Sequence, residues 1–156
     1  MGYTHYWYKN YEADADTFEG KYAELLPIVK QIVQFGSVEL EGNVSPEYIH
    51  LNGREDDGHE TFVWLRGKNV GGMGLLMDMK KFQEEDEPAP KFSKGVFSFC
   101  KTARKPYDTI VVAILCAIQD IYGDELVKIS SDGDMVHEWA EGRELFERAN
   151  KAVDSA

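Results

Sequence analysis

The sequence predicts a single α+β domain in which about three helices pack against a mixed, mostly antiparallel sheet with one βαβ crossover. Segments with the alternation of strands and segments with the periodicity of helices follow each other in the order β, α, β, β, β, α, β, α. Two of the strands flank a turn-rich loop, as in a hairpin. One strand, helix and strand are joined by short links, which predicts a parallel crossover. The 156 residues fit one domain.

The first part of the chain has the pattern of a strand followed by an amphipathic helix. Residues 3–9 are rich in aromatic side chains, which favour a strand. Asp14 can cap the helix that follows, and apolar residues recur at helical spacing until Gly36 ends the pattern. Pro27 lies inside this pattern and removes a backbone donor, so we expect a kink or a restart of the helix there.

A hairpin, an irregular excursion and the crossover unit make up the rest. Residues 48–53 and 61–66 predict the hairpin. Residues 67–92 are predicted to form the excursion, because glycines, methionines and an acidic run interrupt every regular pattern there. The crossover is predicted as a strand over 95–102, a nearly all-apolar helix over 107–123 and a strand over 126–133. A last helix is predicted over 135–153.

The composition limits the partners of the protein. A formal net charge of -11 repels polyanions, so general binding to nucleic acid or to an anionic membrane is not expected. No apolar run is long enough to span a bilayer, and the N-terminus has no signal-peptide pattern. Cys100 and Cys116 lie in apolar contexts and are too few for a disulfide framework. We therefore expect free thiols in a reducing cytoplasm.

A basic segment lies between a predicted strand and the apolar helix that follows it. Lys101, Arg104 and Lys105 lie at this junction, and Tyr107 is next to them. The free N–H groups and the dipole of a helix N-terminus favour an anion, and each charged hydrogen bond contributes about 1.5–3 kcal/mol. This predicts a phosphate-binding site. The alternative is that these cations pair with the protein's own carboxylates, of which Asp108 is the nearest in sequence.

The opening strand contains a second group of candidates. In a strand, Tyr3, His5 and Trp7 point to one face, whereas Thr4 and Tyr6 point to the other. Aromatic rings can stack on a nucleobase, and His5 can donate to a phosphate or a ribose. We predict Tyr3, His5 and Trp7 as ligand contacts. The alternative is that these rings fill the core of the sheet.

Two other places carry weaker candidates. His59 and Glu60 lie in the hairpin loop, where they could form an acid–base pair. Asp132 and Ser131 end the second strand of the crossover, so we expect them at the same end of the sheet as Lys101. Asp132 is also a natural cap for the last helix. His59 and Asp132 are included among the predicted ligand contacts.

Enzyme motifs do not match this sequence. It has no glycine-rich phosphate loop, no HExxH and no closely spaced metal-ligand pairs. Six residues after Cys100 stands Pro106, where a phosphatase loop needs arginine. Cys100 with a histidine would serve as nucleophile and base only if the fold brought them together. We expect no metal, no cofactor and a function without catalysis.

The motifs MGYTHYW, HETF and FCKTARKPYD, with SSDG near the end, resemble a family of small proteins encoded by tailed phages and prophages. The resemblance covers the chain from end to end and implies no particular activity. It implies the cytoplasm of an infected bacterium. Small acidic phage proteins there inhibit a host defence protein or capture its nucleotide-derived signal, which is an analogy of setting.

Three functions follow as hypotheses. The first is a non-enzymatic protein, a homo-oligomer if affinity demands it, that sequesters an anionic, nucleotide-derived small molecule such as an immune second messenger of the cyclic ADP-ribose kind. The second is an acidic inhibitor that mimics DNA against a host defence protein, which the negative charge favours. The third is a nucleotide-processing hydrolase that uses His59, Glu60 or Cys100.

Overall fold

Two antiparallel sheets and three α-helices form the part of the protein that the computed structural model describes, residues 3–67, 75–82 and 91–155. The predicted α+β class is confirmed. None of the helices in these ranges is long and apolar enough to cross a membrane. In chain order the elements are β1 (Thr4–Asn10), α1 (Ala15–Phe35), β2 (Leu40–Val44), β3 (Tyr48–Gly53), β4 (Phe62–Leu65), β5 (Leu75–Asp78), β6 (Lys94–Lys101), α2 (Asp108–Tyr122), β7 (Val127–Ser131) and α3 (Ala140–Asp154).

The larger sheet, which we call the main sheet, has the strand order β5-β6-β1-β7. Because β6 and β7 are both antiparallel to β1, they run parallel to each other with β1 between them. The predicted crossover through α2 is therefore a split one. The elements β1, α1, β5, β6, α2 and β7 follow the βαββαβ order of ferredoxin-like folds. The smaller sheet, β2-β3-β4, is inserted between α1 and β5 and contains the predicted hairpin as β3 and β4.

One face of the main sheet, the inner face, packs against the helices. His5, Trp7 and Lys9 of β1 point to this face, and Trp7 belongs to a core cluster with residues of all three helices. Helix α2 is central, since side chains on every side of it are buried. This confirms the expectation that an almost wholly apolar helix must be covered.

The opposite face of the main sheet, the outer face, carries a separate small cluster. Tyr8 and Phe97 pack there against Met79 and Phe92. Gly95 lies beneath them, and a Cβ at this position would stand 2.8 Å from the sulfur of Met79. Met79 and Phe92 thus cover one end of the outer face, and glycine at position 95 permits their close approach.

The structure corrects three details of the sequence prediction. Helix α1 runs as one helix from Ala15 to Phe35 with Pro27 inside it, so the predicted restart does not occur. The last helix begins at Ala140 because residues 135–139 form turns. The predicted excursion contains strand β5 and a 3₁₀ turn at Met79–Phe82. Its segments 68–74 and 83–90 lie outside the described residues.

Lys9 is a buried cation on the inner face. Its Nζ donates to the carbonyl oxygens of Leu65, at 3.0 Å, and Gly67, at 2.9 Å, and lies 4.1 Å from the ring centroid of Trp64. Burial lowers the pKa of Lys9 to about 7. The Trp64 ring acts in the opposite direction, because the face of an aromatic ring near an ammonium group favours its charged form.

We predict that the substitution Lys9→Met removes a pH dependence of stability. Between pH 7 and the ordinary lysine pKa of about 10.4, the unfolded chain holds a proton that the folded chain releases, so the free energy of unfolding rises with pH. The free energy of unfolding of the wild type should therefore increase, relative to that of Lys9→Met, by up to about 1.4 kcal/mol per pH unit. Urea unfolding at pH 6, 7.5 and 9 measures this difference. Lys30→Met, at an exposed lysine of α1, controls for the loss of a charge. A difference that stays constant with pH would contradict the prediction.

Candidate functional site

The start of helix α2 is occupied by a carboxylate of the protein itself. Asp108, in the first turn, accepts hydrogen bonds from Nε2 of His5 at 2.6 Å and from the hydroxyl of Thr102 at 2.5 Å. His5 and Thr102 are fully buried. Because the Asp108 carboxylate lies in the first turn of this helix, a bound phosphate here would face a negative charge.

Ser131 completes this network on the far side of His5. The Ser131 oxygen accepts from the backbone N–H of Gly133 at 3.0 Å and from the indole N–H of Trp139 at 3.4 Å. Nδ1 of His5 lies 2.8 Å from the Ser131 hydroxyl oxygen, and His5 donates through Nε2 to Asp108. Although the residue types are those of a serine hydrolase, both acceptor positions of the Ser131 oxygen are filled. We interpret the network as structural.

Two of the three predicted cations, Lys101 and Arg104, have different surroundings. The guanidinium of Arg104 bonds to Glu138 through Nε at 3.2 Å and Nη2 at 3.1 Å, and its carbon lies 4.1 Å from the ring centroid of Tyr3. Lys101 is exposed on the outer face, with Nζ 5.7 Å from the ring centroid of Phe99. Lys105 is half-buried. The alternative interpretation, pairing with the protein's own carboxylates, thus applies to Arg104, although its partner is Glu138.

The predicted aromatic contacts on the inner face are core residues. Tyr3 is 2%, Trp7 1% and Tyr107 0% exposed. Trp7 packs against Phe62, and the hydroxyl of Tyr107 donates to the carbonyl oxygen of Glu60 at 2.5 Å. A ring without exposed surface cannot stack on a ligand, so these three, with His5, do not belong to the site that we propose.

His59 and Glu60 join the smaller sheet to the end of β6. Nδ1 of His59 lies 2.8 Å from the carbonyl oxygen of Lys101, and the Glu60 carboxylate accepts from the Lys101 N–H at 2.9 Å. Their polar groups are thus engaged with the backbone. Burial raises the pKa of Cys100 to about 12, which disfavours its thiolate. Among the described residues, no three His, Cys, Asp or Glu side chains are arranged to hold a metal ion.

Asp132 is not the cap of the last helix, because it bonds to strand β1 instead. Its Oδ2 accepts from the N–H of Thr4 at 3.1 Å, and its Oδ1 accepts from the hydroxyl of Tyr6 at 3.0 Å. Burial, and then this bond to Asp132, raise the pKa of Tyr6. Asp132 is exposed and lies at the end of β7, beside the outer face.

Beside the buried ring of Tyr8, the outer face of the two central strands carries three further aromatic side chains, which we call the aromatic face: Tyr6, Phe97 and Phe99. The rings of Tyr6 and Phe97 are stacked, with centroids 6.1 Å apart and an interplanar angle of 18°. Those of Phe97 and Phe99 are 5.8 Å apart. Phe99 is 43% exposed, and Tyr6 and Phe97 are half-buried. The aromatic face therefore presents ring surface to solvent.

Charges of opposite sign flank the aromatic face. Tyr6 is directly opposite Phe99, and in the next row Thr4 is opposite Lys101 on one side and bonded to Asp132 on the other. Since neighbouring strands lie about 4.8 Å apart, Lys101 and Asp132 start from backbone positions about 10 Å apart. One end of this row is cationic and the other is anionic.

A groove on the helix side is a less suitable site for an anion. It has a volume of about 460 Å³ and lies between β7, α2 and α3. Its charged lining residues are Asp120, Glu147 and Arg143, and Arg143 donates to the carbonyl oxygen of Met135. The acidic side chains outnumber the basic one, so the groove repels a phosphate.

Sequence reasoning missed Phe97 and Phe99, although the sequence contains a signal for them. In KGVFSFCK, residues 94–101, the two phenylalanines are two positions apart and precede Lys101 at the same spacing. Period-two alternation places all three on one face of a strand. What the alternation does not reveal is which face the helices cover.

We predict that two carboxylates near α2 differ in their contribution to stability. Asp108→Ala leaves the buried donors of His5 and Thr102 without an acceptor and should cost about 1–3 kcal/mol or more. Glu138→Ala removes the exposed ion pair with Arg104 and a long, exposed hydrogen bond from the N–H of Asp134, and should cost less, about 1 kcal/mol. Urea unfolding of both variants measures the difference. Equal losses would contradict the structural role of the network.

Comparison with known proteins gives no match for this chain. No family model, no curated protein and no solved structure is significantly similar to it. The function must therefore be inferred from the residues of the aromatic face and from the charges beside it.

Proposed function

We propose that the protein is a non-enzymatic binding protein whose aromatic face takes a nucleotide-derived small anion. The observation that carries this proposal is the exposed ring surface of Phe99 and Tyr6 beside the cation of Lys101, on the face of the sheet opposite the helices. Aromatic rings on a sheet stack on nucleobases, and a neighbouring lysine pairs with phosphate. The position differs from the predicted junction site, while the chemical class of the ligand is the same.

The charge of the protein favours a small ligand over a polynucleotide. A net charge of -11 repels each phosphate of a long strand, and one lysine beside the rings offsets only one such charge. Stacking does not depend on this field, because the rings interact with the uncharged base. A mononucleotide, or a signal molecule of similar size, therefore suits the site better than a nucleic acid.

The expected affinity is modest. Stacking contributes about 1–3 kcal/mol per base. A charged hydrogen bond from Lys101 contributes roughly 1.5–3 kcal/mol, and association itself costs several kcal/mol. The two contributions sum to about 2.5–6 kcal/mol before the cost of association, so the expected dissociation constant is roughly millimolar or weaker. Sequestration of a scarce signal molecule would need additional contacts, which a homo-oligomer that brings a second surface against the aromatic face would supply.

The resemblance to phage and prophage proteins extends the proposal to a biological setting. In the cytoplasm of an infected bacterium, the ligand would be a nucleotide-derived messenger of host immunity, of which cyclic ADP-ribose derivatives are one class. Native mass spectrometry of the purified protein tests this extension, because it reports a retained small molecule and the oligomeric state together. A ligand released unchanged by heat would agree with binding without catalysis.

We predict that Phe99→Ala weakens binding of GMP, a purine probe, by about 5-fold to 150-fold because one stacking surface is lost. Titration of the ¹⁵N-labelled protein followed by NMR chemical shifts measures this affinity and identifies the residues that respond. Val136→Ala, at an exposed apolar residue outside the aromatic face, is the matched control and should bind as the wild type does.

Lysine and arginine variants separate the aromatic face from the junction site. Lys101→Ala should weaken GMP binding and reduce its dependence on salt, whereas Arg104→Ala should leave the affinity within about twofold, because Arg104 is paired with Glu138. If GMP leaves the signals of Tyr6, Phe97 and Phe99 unchanged, or if Arg104→Ala alone abolishes binding, the proposal is wrong.

A further inference from the structure

We infer that Asp132 makes the aromatic face selective for guanine, with the phosphate of the ligand at the Lys101 end. This inference rests on the proposed function and deepens it. It depends on the position of one carboxylate, on the acceptor positions that this carboxylate keeps, and on the opposite charges of the two ends of the site.

The carboxylate of Asp132 is held in a defined orientation. Oδ2 accepts from the N–H of Thr4 and Oδ1 from the hydroxyl of Tyr6, and the backbone N–H of Asp132 donates to the Thr4 carbonyl oxygen at 2.9 Å. Because Tyr6 is itself part of the aromatic face, this bond fixes the carboxylate relative to a stacking ring. The acceptor is thus positioned before any ligand arrives.

Each oxygen of this carboxylate accepts one of those bonds and keeps capacity for another. An exposed carboxylate with two adjacent acceptor positions matches a group with two parallel donors, as in the bidentate pairs of arginine with carboxylates. Among the common bases, guanine presents such a pair in its ring N1–H and its 2-amino group. Adenine, cytosine and uracil place an acceptor next to their donor, which a carboxylate repels.

The charges on the two sides of Thr4 orient the ligand. A phosphate is attracted to Lys101 and repelled by Asp132, whose backbone positions lie about 10 Å apart across β1. That span is comparable with the separation of the base edge and the phosphate in a nucleoside monophosphate. The inference therefore ranks a guanine nucleotide above an ADP-ribose derivative as the ligand of this site.

The test compares GMP with IMP, which differ only in the 2-amino group that IMP lacks. NMR titration of the wild type should give GMP an affinity roughly tenfold higher than that of IMP. Asp132→Asn keeps the shape of the side chain but has one acceptor oxygen instead of two, and should reduce the ratio to about twofold or less. Glu138→Gln, an equivalent change at an exposed carboxylate paired with Arg104, should preserve the ratio.

The outcomes separate this inference from the proposed function. If GMP and IMP bind the wild type equally and Phe99→Ala weakens both, the aromatic face binds nucleotides and the role of Asp132 is wrong. A preference for GMP that persists in Asp132→Asn also overturns the inference. If neither nucleotide shifts the signals of the aromatic face, the proposed function fails and the inference fails with it.

Discussion

The arrangement of this end of the main sheet depends on one hydrogen-bonded network. In it, Thr102 and His5 donate to Asp108, and Ser131 bonds to the other ring nitrogen of His5. The network joins β1, the loop after β6, the first turn of α2 and the end of β7. Because His5 and Thr102 are fully buried, each of their polar groups needs a partner inside the protein. The same bonds hold the Asp108 carboxylate at the N-terminus of α2, where its negative charge disfavours an external anion.

This internal use of polar groups moves the candidate ligand site to the other face of the same strands. In β1, His5 and Trp7 face the helices, so Tyr6, which lies between them, faces outward. The buried network and the aromatic face thus lie on opposite faces of the same strands. Ser131 points inward to His5, whereas Asp132, the next residue, bonds to Tyr6 at the outer face. Side chains on such a strand are held in place by the packed core on its opposite face.

Much of the fold could be predicted from the sequence, because local patterns determine it. The alternation in β1, the cap at Asp14, the hairpin of β3 and β4 and the apolar helix α2 all depend on neighbours a few residues away. The insertion of β1 between β6 and β7, and the pairing of β5 with β6, depend on contacts between distant segments. Patterns of alternation carry no information about strand order, so these features could not be predicted.

The sequence by itself determined the α+β class, the acidity that disfavours polyanions, and the two-residue period that groups Tyr3, His5 and Trp7 on one face and Thr4 and Tyr6 on the other. Only the tertiary structure decided which group the helices cover, that Arg104 pairs with Glu138, and that Asp108 fills the start of α2. The physical reason is that the two-residue period of a strand shows which side chains share a face but does not show which face is buried. Burial and ion pairing are settled by residues that come from elsewhere in the chain.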